Sequence, residues 1–272
     1  MAKASARAKR FSIKEQPGFT AIALTCFAAL YAPIIVLVIY SFNSGNSVAV
    51  WGGFSWRWYV AAWNNALVQE AATRSLVVAT CASLGATALA TLAALGTTPV
   101  RPYRGQTLIY AMINQPLMVP EIVTGVALLI FFAIIKVATG YSGLLYLIVA
   151  HMAFCIPFAY LPIRARLEGM DLALETAAAD LYATPWLAFR RITLPLLWPG
   201  IMAGGVLAFV ISLADVVITE LVKSAGQETL PTYMLGQLRR VITPEINAIS
   251  TVLLGISVAI VAVVFAFSRK ES

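Results

Sequence analysis

Long runs of hydrophobic residues, separated by short polar segments, make up most of this chain. A helix needs about 20 residues to cross the ~30 Å apolar core of a membrane. The third run contains Pro116, Pro120 and Glu121, so we expect a tilted or broken helix there. The pattern predicts an all-α integral membrane protein with six transmembrane helices, at about 18–42, 71–97, 107–136, 142–163, 196–220 and 246–268.

The composition supports a membrane protein. Hydrophobic residues make up 60% of the 272 residues and charged residues only 11%, whereas soluble domains have about 25% charged residues. Cys26, Cys81 and Cys155 lie far apart in apolar runs, which predicts small hydrophobic side chains rather than a metal or redox site. The sequence also lacks the glycine-rich phosphate loop of an ATPase.

The basic residues predict the orientation of the spans, because lysine and arginine concentrate on the cytoplasmic side. We therefore interpret the net charge of +7 through topology and not through nucleic-acid binding. With the N-terminus in the cytoplasm, the 19 basic residues divide into 13 inside and six outside. This predicts a cytoplasmic tail at 1–17, a transmembrane domain at 18–268, a cytoplasmic segment at 164–195 and a cytoplasmic tail at 269–272.

Residues 174–197, LETAAADLYATPWLAFRRITLPLL, form a more polar insert between the fourth and fifth spans. The region 169–183 is rich in helix-forming residues and predicts a helix on which Ala173, Ala177 and Leu181 share one face. Thr184 is predicted to cap a second short helix that begins at Pro185.

The second helix of this insert carries large apolar side chains. Trp186, Leu187 and Phe189 form an apolar knob, and Pro195 is predicted to end the segment before the next span. The residues alone leave two interpretations open. The insert is either a docking element for a partner protein or a connector that lies on lipid headgroups.

The insert resembles the EAA loop of ABC-importer permeases. Its start, middle and end match the loop at Glu175, Thr176, Ala177, Ala178, Asp180, Leu181, Ile192, Leu194 and Pro195. Tyr182 stands where the family usually has a glycine. The resemblance implies a coupling helix that docks on a separate ATP-binding subunit through Glu175, Ala177, Ala178, Asp180, Leu181, Thr184, Pro185, Trp186 and Phe189.

The resemblance extends over most of the chain and is closest to the spermidine/putrescine permeases of the MetI-like fold. It rests on SFNSG at 41–45, WGGFSWRWY at 51–59, PEIV at 120–123, SLADVV at 212–217, LPTYM at 230–234 and TPEINAIST at 243–251. It implies a multi-pass protein of the bacterial inner membrane that pairs with a second homologous permease, two ATP-binding subunits and a periplasmic binding protein. ATP and magnesium would bind to the ATPase, and no cofactor would bind to this chain.

Two acidic residues, Glu121 and Asp215, fall within the predicted spans. A charged side chain at the bilayer centre costs at least ~2.5 kcal/mol, so each should face a cavity or a partner. Two carboxylates on a path suit a cationic amine, but each could instead cap a broken helix. The resemblance places Ser212 and Trp58 on the same path, whereas tryptophans are also typical of membrane interfaces.

We therefore expect a permease subunit, not an enzyme, that moves a small amine such as putrescine or spermidine by ATP-driven alternating access. Ala214 stands where the family commonly has a second aspartate, so an amino acid or aminoalkyl compound is the alternative substrate. An ion-coupled secondary transporter would leave the insert without a role. An intramembrane enzyme lacks a nucleophile–base pair, and for the single histidine, His151, we expect a packing or interhelical hydrogen-bonding role.

Overall fold

The computed structural model describes residues 18–48, 50–98, 103–171, 173–240 and 243–268. Over these residues the secondary structure is helical, apart from an isolated antiparallel bridge between Asn43 and Phe54. Both predicted tails, 1–17 and 269–272, lie outside the described residues.

Twelve α-helices and one π-helical turn follow each other along the described chain. They are α1 (Phe19–Tyr40), α2 (Arg57–Asn64), α3 (Ala66–Thr97), α4 (Gln106–Met118), α5 (Glu121–Thr139), α6 (Leu144–Glu168), α7 (Ala173–Asp180), α8 (Pro185–Ala188), the π turn (Phe189–Thr193), α9 (Leu194–Ala214), α10 (Val217–Val222), α11 (Leu230–Leu238) and α12 (Pro244–Ser268).

Within the described segments, six helices are long and apolar enough to cross a membrane, as the hydrophobic pattern predicted. They are Phe19–Tyr40, Ala66–Thr97, Glu121–Thr139, Leu144–Glu168, Pro185–Ala214 and Pro244–Val263. The third predicted span, at about 107–136, is a broken helix as expected: α4 ends at Met118, α5 begins at Glu121, and of the two only α5 is long enough to cross. Pro120 causes this break, since it lacks an N–H and holds Val119 in an extended conformation.

The fifth span differs from the prediction. The helix runs without interruption from Pro185 to Ala214 through the π turn, so the predicted break at Pro195 is absent. Pro195 lies in the first turn of α9, directly after the π turn. Because a π turn shifts the backbone hydrogen-bonding pattern, the missing N–H of Pro195 interrupts the helix less there. The span ends at Ala214 and not at 220, since Asp215 is extended.

The core of the chain is the contact between α3, α6 and α9. Small side chains such as Ala86 and Ala90 line the buried side of α3. At Gly204 on α9, an added Cβ would lie 2.6 Å from the carbonyl oxygen of Ala159 on α6. Small residues at such crossings let helix backbones approach closely, which is the usual basis of helix packing in membranes.

Helix α1 stands apart from this core. None of its residues is buried, and it contacts the described remainder of the chain mainly through α12. Its apolar sides are therefore available to lipid or to a neighbouring subunit.

Candidate functional site

Two helix breaks meet inside the membrane-spanning part of the protein. Glu121 is the first residue of α5, and Asp215 directly follows α9. Their carboxyl groups lie close enough for electrostatic interaction. Asp215 is only 7% exposed, and Glu121 is partly buried. The structure thus brings together two residues that are 94 positions apart in the sequence.

Asp215 caps the short helix α10. Its carboxylate accepts hydrogen bonds from the backbone N–H of Ile218 at 3.1 Å and of Thr219 at 3.0 Å. The Thr219 hydroxyl donates a third bond at 3.1 Å. These donors offset the cost of holding a carboxylate in a buried position. The helix-capping alternative drawn from the sequence therefore describes one role of Asp215.

His151 lies at the centre of a buried hydrogen-bonded network. Its Nδ1 is 2.8 Å from Ser212 Oγ, and its Nε2 is 2.9 Å from Thr219 Oγ1. Because the Thr219 hydroxyl donates to Asp215, it accepts from Nε2–H, and Nδ1 then accepts from Ser212. The interhelical role predicted for His151 fits this arrangement. Sequence reasoning missed its partners, since they lie 61 and 68 residues further along the chain.

The carboxyl group of Glu121 has fewer hydrogen-bond donors around it than that of Asp215. No hydrogen-bond donor among the described residues reaches it, and its nearest charged neighbour is the carboxyl group of Asp215. Two carboxylates this close repel each other, and a cation placed between them would relieve that repulsion. An ammonium group carries three N–H donors as well as the charge, so the pair is suited to an amine.

Two further polar atoms near the first break lack partners. Asn114 Oδ1 on α4 and Thr124 Oγ1 on α5 are buried without a hydrogen-bond partner in the described chain. Thr124 lines a cavity of about 300 Å³ that also borders Gln115 and Phe154. Sequence reasoning missed both atoms. The adjacent amides Asn114 and Gln115 inside an apolar run were the available signal.

Trp58 lies elsewhere in the structure. It is buried at 8% exposure on α2, and its Nε1–H donates to the carbonyl oxygen of Gly45 at 3.2 Å. The guanidinium of Arg57 lies 4.9 Å from the centre of its ring. No contact among the described residues joins Trp58 to Glu121 or Asp215, so its place on a substrate path remains a prediction.

We call α7, α8 and the residues between them the elbow. Part of the docking set predicted from the sequence faces the interior of the protein here. Glu175 accepts a hydrogen bond from the hydroxyl of Thr193 at 2.6 Å, which joins α7 to the π turn. Ala178 is buried at 7% exposure. These two residues therefore hold the elbow against the rest of the chain.

The other predicted docking residues lie on the surface of the elbow. Leu181 is 82% exposed and Trp186 is 70% exposed, and the ring of Trp186 stacks on Phe189 at 5.7 Å. Thr184 caps α8 by accepting a bond from Leu187 N–H at 3.4 Å, and Pro185 is the first helical residue, as predicted. The remaining members, Ala177 and Asp180, are also exposed. An apolar surface is thus left without a partner in the described chain.

Tyr182 adopts the backbone conformation that favours glycine. Its φ is +59°, and it is the one non-glycine residue with positive φ in the described segments. The departure from the family's glycine therefore leaves the turn between α7 and α8 in place. The tyrosine takes the left-handed conformation at an energetic cost, and its side chain is 96% exposed.

Replacing Tyr182 with glycine should stabilise the protein by about 1 kcal/mol, because the left-handed conformation costs a non-glycine residue about 1–2 kcal/mol and the added chain freedom of glycine offsets part of that gain. Thermal unfolding of the detergent-solubilised protein measures the change. Tyr182→Ala is the matched control, since it removes the ring and retains the strain. Equal stabilities of the glycine and alanine variants would contradict the strain argument.

Comparison with known proteins connects this geometry to transport. Residues 86–270 match the family model described as the binding-protein-dependent transport system inner membrane component. This match includes the elbow and both helix breaks.

Two named transport proteins match nearly the whole chain. The putrescine transport system permease protein PotI of Escherichia coli (strain K12) is 39% identical over 246 residues, covering 89% of this chain and 88% of the relative. The spermidine/putrescine transport system permease protein PotC of Haemophilus influenzae is 36% identical, covering 90% of this chain and 94% of the relative.

Solved structures share the fold. A chain of a bacterial ABC transporter involved in alginate import has a TM-score of 0.72 at 17% identity, with 93% of this chain and 94% of that chain covered. A chain of the MetNI methionine ABC transporter in an inward-facing conformation has a TM-score of 0.63 at 17% identity, with 76% and 96% covered. At this identity the likeness concerns the helical architecture alone.

Proposed function

The chain belongs to the family of inner-membrane components of binding-protein-dependent transport systems, and we propose that it carries a putrescine- or spermidine-like amine across the membrane. It is a multi-pass inner-membrane permease of the ABC-importer class. It is a transport subunit and not an enzyme, as its sequence predicted.

The neighbouring carboxyl groups of Glu121 and Asp215 carry the substrate proposal. They lie at two helix breaks in the spanning region and together offer negative charge to a cation. The partnerless oxygens of Asn114 and Thr124 add hydrogen-bond acceptors near the first break. Relatives named as putrescine and spermidine permeases at 36–39% identity favour an alkyl amine with more than one ammonium group.

A zwitterionic substrate is the second candidate, and one residue favours it. Ala214 precedes Asp215 where a second aspartate is common in the polyamine permeases, so this chain has one carboxylate fewer at that break. An amino acid or an aminoalkyl compound has a single ammonium group to neutralise. The pair formed by Glu121 and Asp215 is sufficient for one such group.

The proposed mechanism couples the elbow to the helix breaks. An ATP-binding subunit would dock on the exposed surface formed by Leu181 and Trp186, with the half-buried Phe189 stacked against Trp186. Because the helix from Pro185 to Ala214 is continuous, movement of the elbow would be passed along α9 to Asp215. ATP and magnesium belong to the ATP-binding subunit in this scheme, and this chain holds no cofactor.

Permeases of ABC importers work with a partner permease, an ATPase and a periplasmic binding protein, and one solved relative is an alginate transporter in complex with its periplasmic protein. For this chain we propose a non-identical permease partner and two ATP-binding subunits. The uncovered apolar sides of α1 would contact the partner permease or the surrounding lipid. We further propose that both termini face the cytoplasm, as the basic residues predict.

Measuring ATPase stimulation by a series of amines tests the proposed substrate. The reconstituted complex with its binding protein should show ATPase stimulation by putrescine or spermidine, because two carboxylates select for cationic groups. Amino acids and aminoalkyl acids serve as the comparison set. The readout is the rate of phosphate release at saturating binding protein.

Stimulation by zwitterionic compounds alone would overturn the polyamine assignment and support the second candidate. In that case, Ala214→Asp would be expected to shift the preference toward polyamines. Import that proceeds without ATP hydrolysis would contradict the ABC mechanism.

A further inference from the structure

The imidazole of His151 connects the two sides of the second helix break. It lies on α6, and its two nitrogens reach Ser212, in the last turn of α9, and Thr219, in α10. The break at Asp215 lies between these two partners in the chain. Because the ring is rigid, the two bonds hold the end of α9 and the body of α10 at a fixed separation. His151 therefore fixes the shape of the chain around Asp215.

The connection continues from Thr219 to the carboxylate of Asp215. His151 Nε2 is 2.9 Å from Thr219 Oγ1, which in turn lies 3.1 Å from Asp215 Oδ2. Nε2 itself is 3.5 Å from the same carboxylate oxygen, which is too long for a good hydrogen bond. A hydroxyl that accepts from Nε2–H has its own proton directed at Asp215. The orientation of the carboxylate thus depends on a hydroxyl that the imidazole holds in place.

The whole network is removed from water. His151, Ser212 and Thr219 are buried, and the side chain of Asp215 taken alone is only 1% exposed. Water cannot replace a bond that is lost in such a place, and hydrogen bonds there are stronger than at the surface. Without the imidazole, the hydroxyl of Thr219 would be free to turn away from Asp215.

The orientation of Asp215 bears on the proposed amine site through Glu121. Glu121 is the more accessible of the two acidic residues, and its carboxyl group interacts electrostatically with that of Asp215. An amine would therefore meet Glu121 first, and Asp215 would attract it through its negative charge from a covered position. Because this attraction depends on distance, it changes when the Asp215 carboxylate turns.

We propose that His151 is a positioning residue for amine transport, which holds the Asp215 carboxylate beside Glu121 through the hydroxyl of Thr219. The inference rests on the proposed function, because it takes Glu121 and Asp215 as the amine site. A residue that only joined α6 to α9 would have an effect that does not depend on Asp215. A double-mutant cycle separates these two roles.

Uptake of radiolabelled putrescine into proteoliposomes that contain the whole transporter complex, at saturating binding protein, tests the proposal. His151→Phe keeps a ring and removes both nitrogens, so uptake should fall about fivefold. His151→Gln retains one acceptor and one donor, so uptake should stay within about twofold of the wild type. Combining His151→Phe with Asp215→Asn should lower uptake no further than Asp215→Asn alone, because both changes act through one carboxylate.

Tyr160→Phe is the matched control. The hydroxyl of Tyr160 is also buried on α6 and also bonds to a neighbouring helix, at 2.7 Å from Thr97 Oγ1. It lies more than two helical turns from His151, so its removal should leave uptake unchanged. Copurification of the subunits checks that each variant assembles. Should His151→Phe fail to assemble, Thr219→Val provides the same test, since it removes the linking hydroxyl and should lower uptake about fivefold.

The outcomes distinguish the positioning role from the amine site itself. Unchanged uptake by His151→Phe would overturn the positioning role, as would losses that multiply when it is combined with Asp215→Asn. A loss in His151→Gln as large as that in His151→Phe would also contradict it, because the hydrogen bonds would then not matter. Normal uptake by Asp215→Asn would overturn the amine site and the positioning role together. Impaired uptake by Asp215→Asn beside normal uptake by His151→Phe would overturn the positioning role alone.

Discussion

Replacing Asp215 with asparagine is expected to lower amine-stimulated ATPase activity and uptake at least tenfold while the transporter complex remains assembled. Asparagine keeps the shape of the side chain, and its single oxygen can still accept the bond from the backbone N–H of either Ile218 or Thr219 at the start of α10. It removes the negative charge that lies beside Glu121. A lost charge-assisted interaction of about 1.5 kcal/mol corresponds to roughly a tenfold change. Uptake of radiolabelled putrescine into proteoliposomes measures the effect.

Two comparison variants separate charge from structure. Glu121→Gln removes the other carboxylate and should cause a similar loss, whereas Glu70→Gln removes an exposed carboxylate paired with Arg74 and should cause none. Asp215→Ala should also destabilise the fold by about 1 kcal/mol, since the cap is lost. Normal uptake by Asp215→Asn would limit Asp215 to its capping role.

Truncating Trp186 to alanine should release the ATP-binding subunit from the permease. The indole is 70% exposed, stacks on Phe189 and has no other partner that would explain such an apolar surface in the described chain. Buried tryptophans at protein interfaces commonly contribute 2 kcal/mol or more to binding, so affinity should fall about 30-fold. Copurification of the two subunits from membranes, followed by titration of the ATPase onto permease in nanodiscs, measures the loss.

The control for Trp186→Ala is Trp63→Ala, because Trp63 is 77% exposed on α2, far along the chain from the elbow. It should leave ATPase binding unchanged. Glu175→Lys should also impair assembly, by an indirect route: the lysine cannot accept the bond from Thr193 that joins α7 to the π turn. Full ATPase binding by Trp186→Ala would show that the exposed surface of the elbow is not the docking site.

The number of spans was predicted correctly from hydrophobicity, because whether a segment enters lipid depends mainly on the apolar residues of that segment alone. The ends of the spans were harder to predict. At Pro120 the sequence indicated a break, but apolar residues on both sides concealed that only α5 crosses. At Pro195 the expectation of a break failed, since the π turn that precedes it depends on how α8 and α9 are held together and leaves no residue signature.

The candidate site was predictable only in part. The cost of a charge in lipid singled out Glu121 and Asp215, and the structure places them together. The sequence did not reveal the hydrogen-bonded network around His151, because Ser212 and Thr219 reach the imidazole through tertiary packing. The structure likewise supplies the physical basis of the glycine preference at position 182, since Tyr182 has a positive φ there.

The close approach of α9 to α6 at Gly204 gives the long helix a fulcrum. From Pro185 to Gly204 the helix extends about 28 Å, and from Gly204 to Ala214 about 15 Å, at 1.5 Å per residue. Because the arm toward Asp215 is about half as long as the arm toward Trp186, a displacement at Trp186 is about halved at Asp215 and the force there is about doubled. A movement of about 4 Å at Trp186 would therefore move Asp215 by about 2 Å. A step of that size is still comparable to the difference between a hydrogen-bonded and a separated pair of polar groups, so it would change how Asp215 faces Glu121.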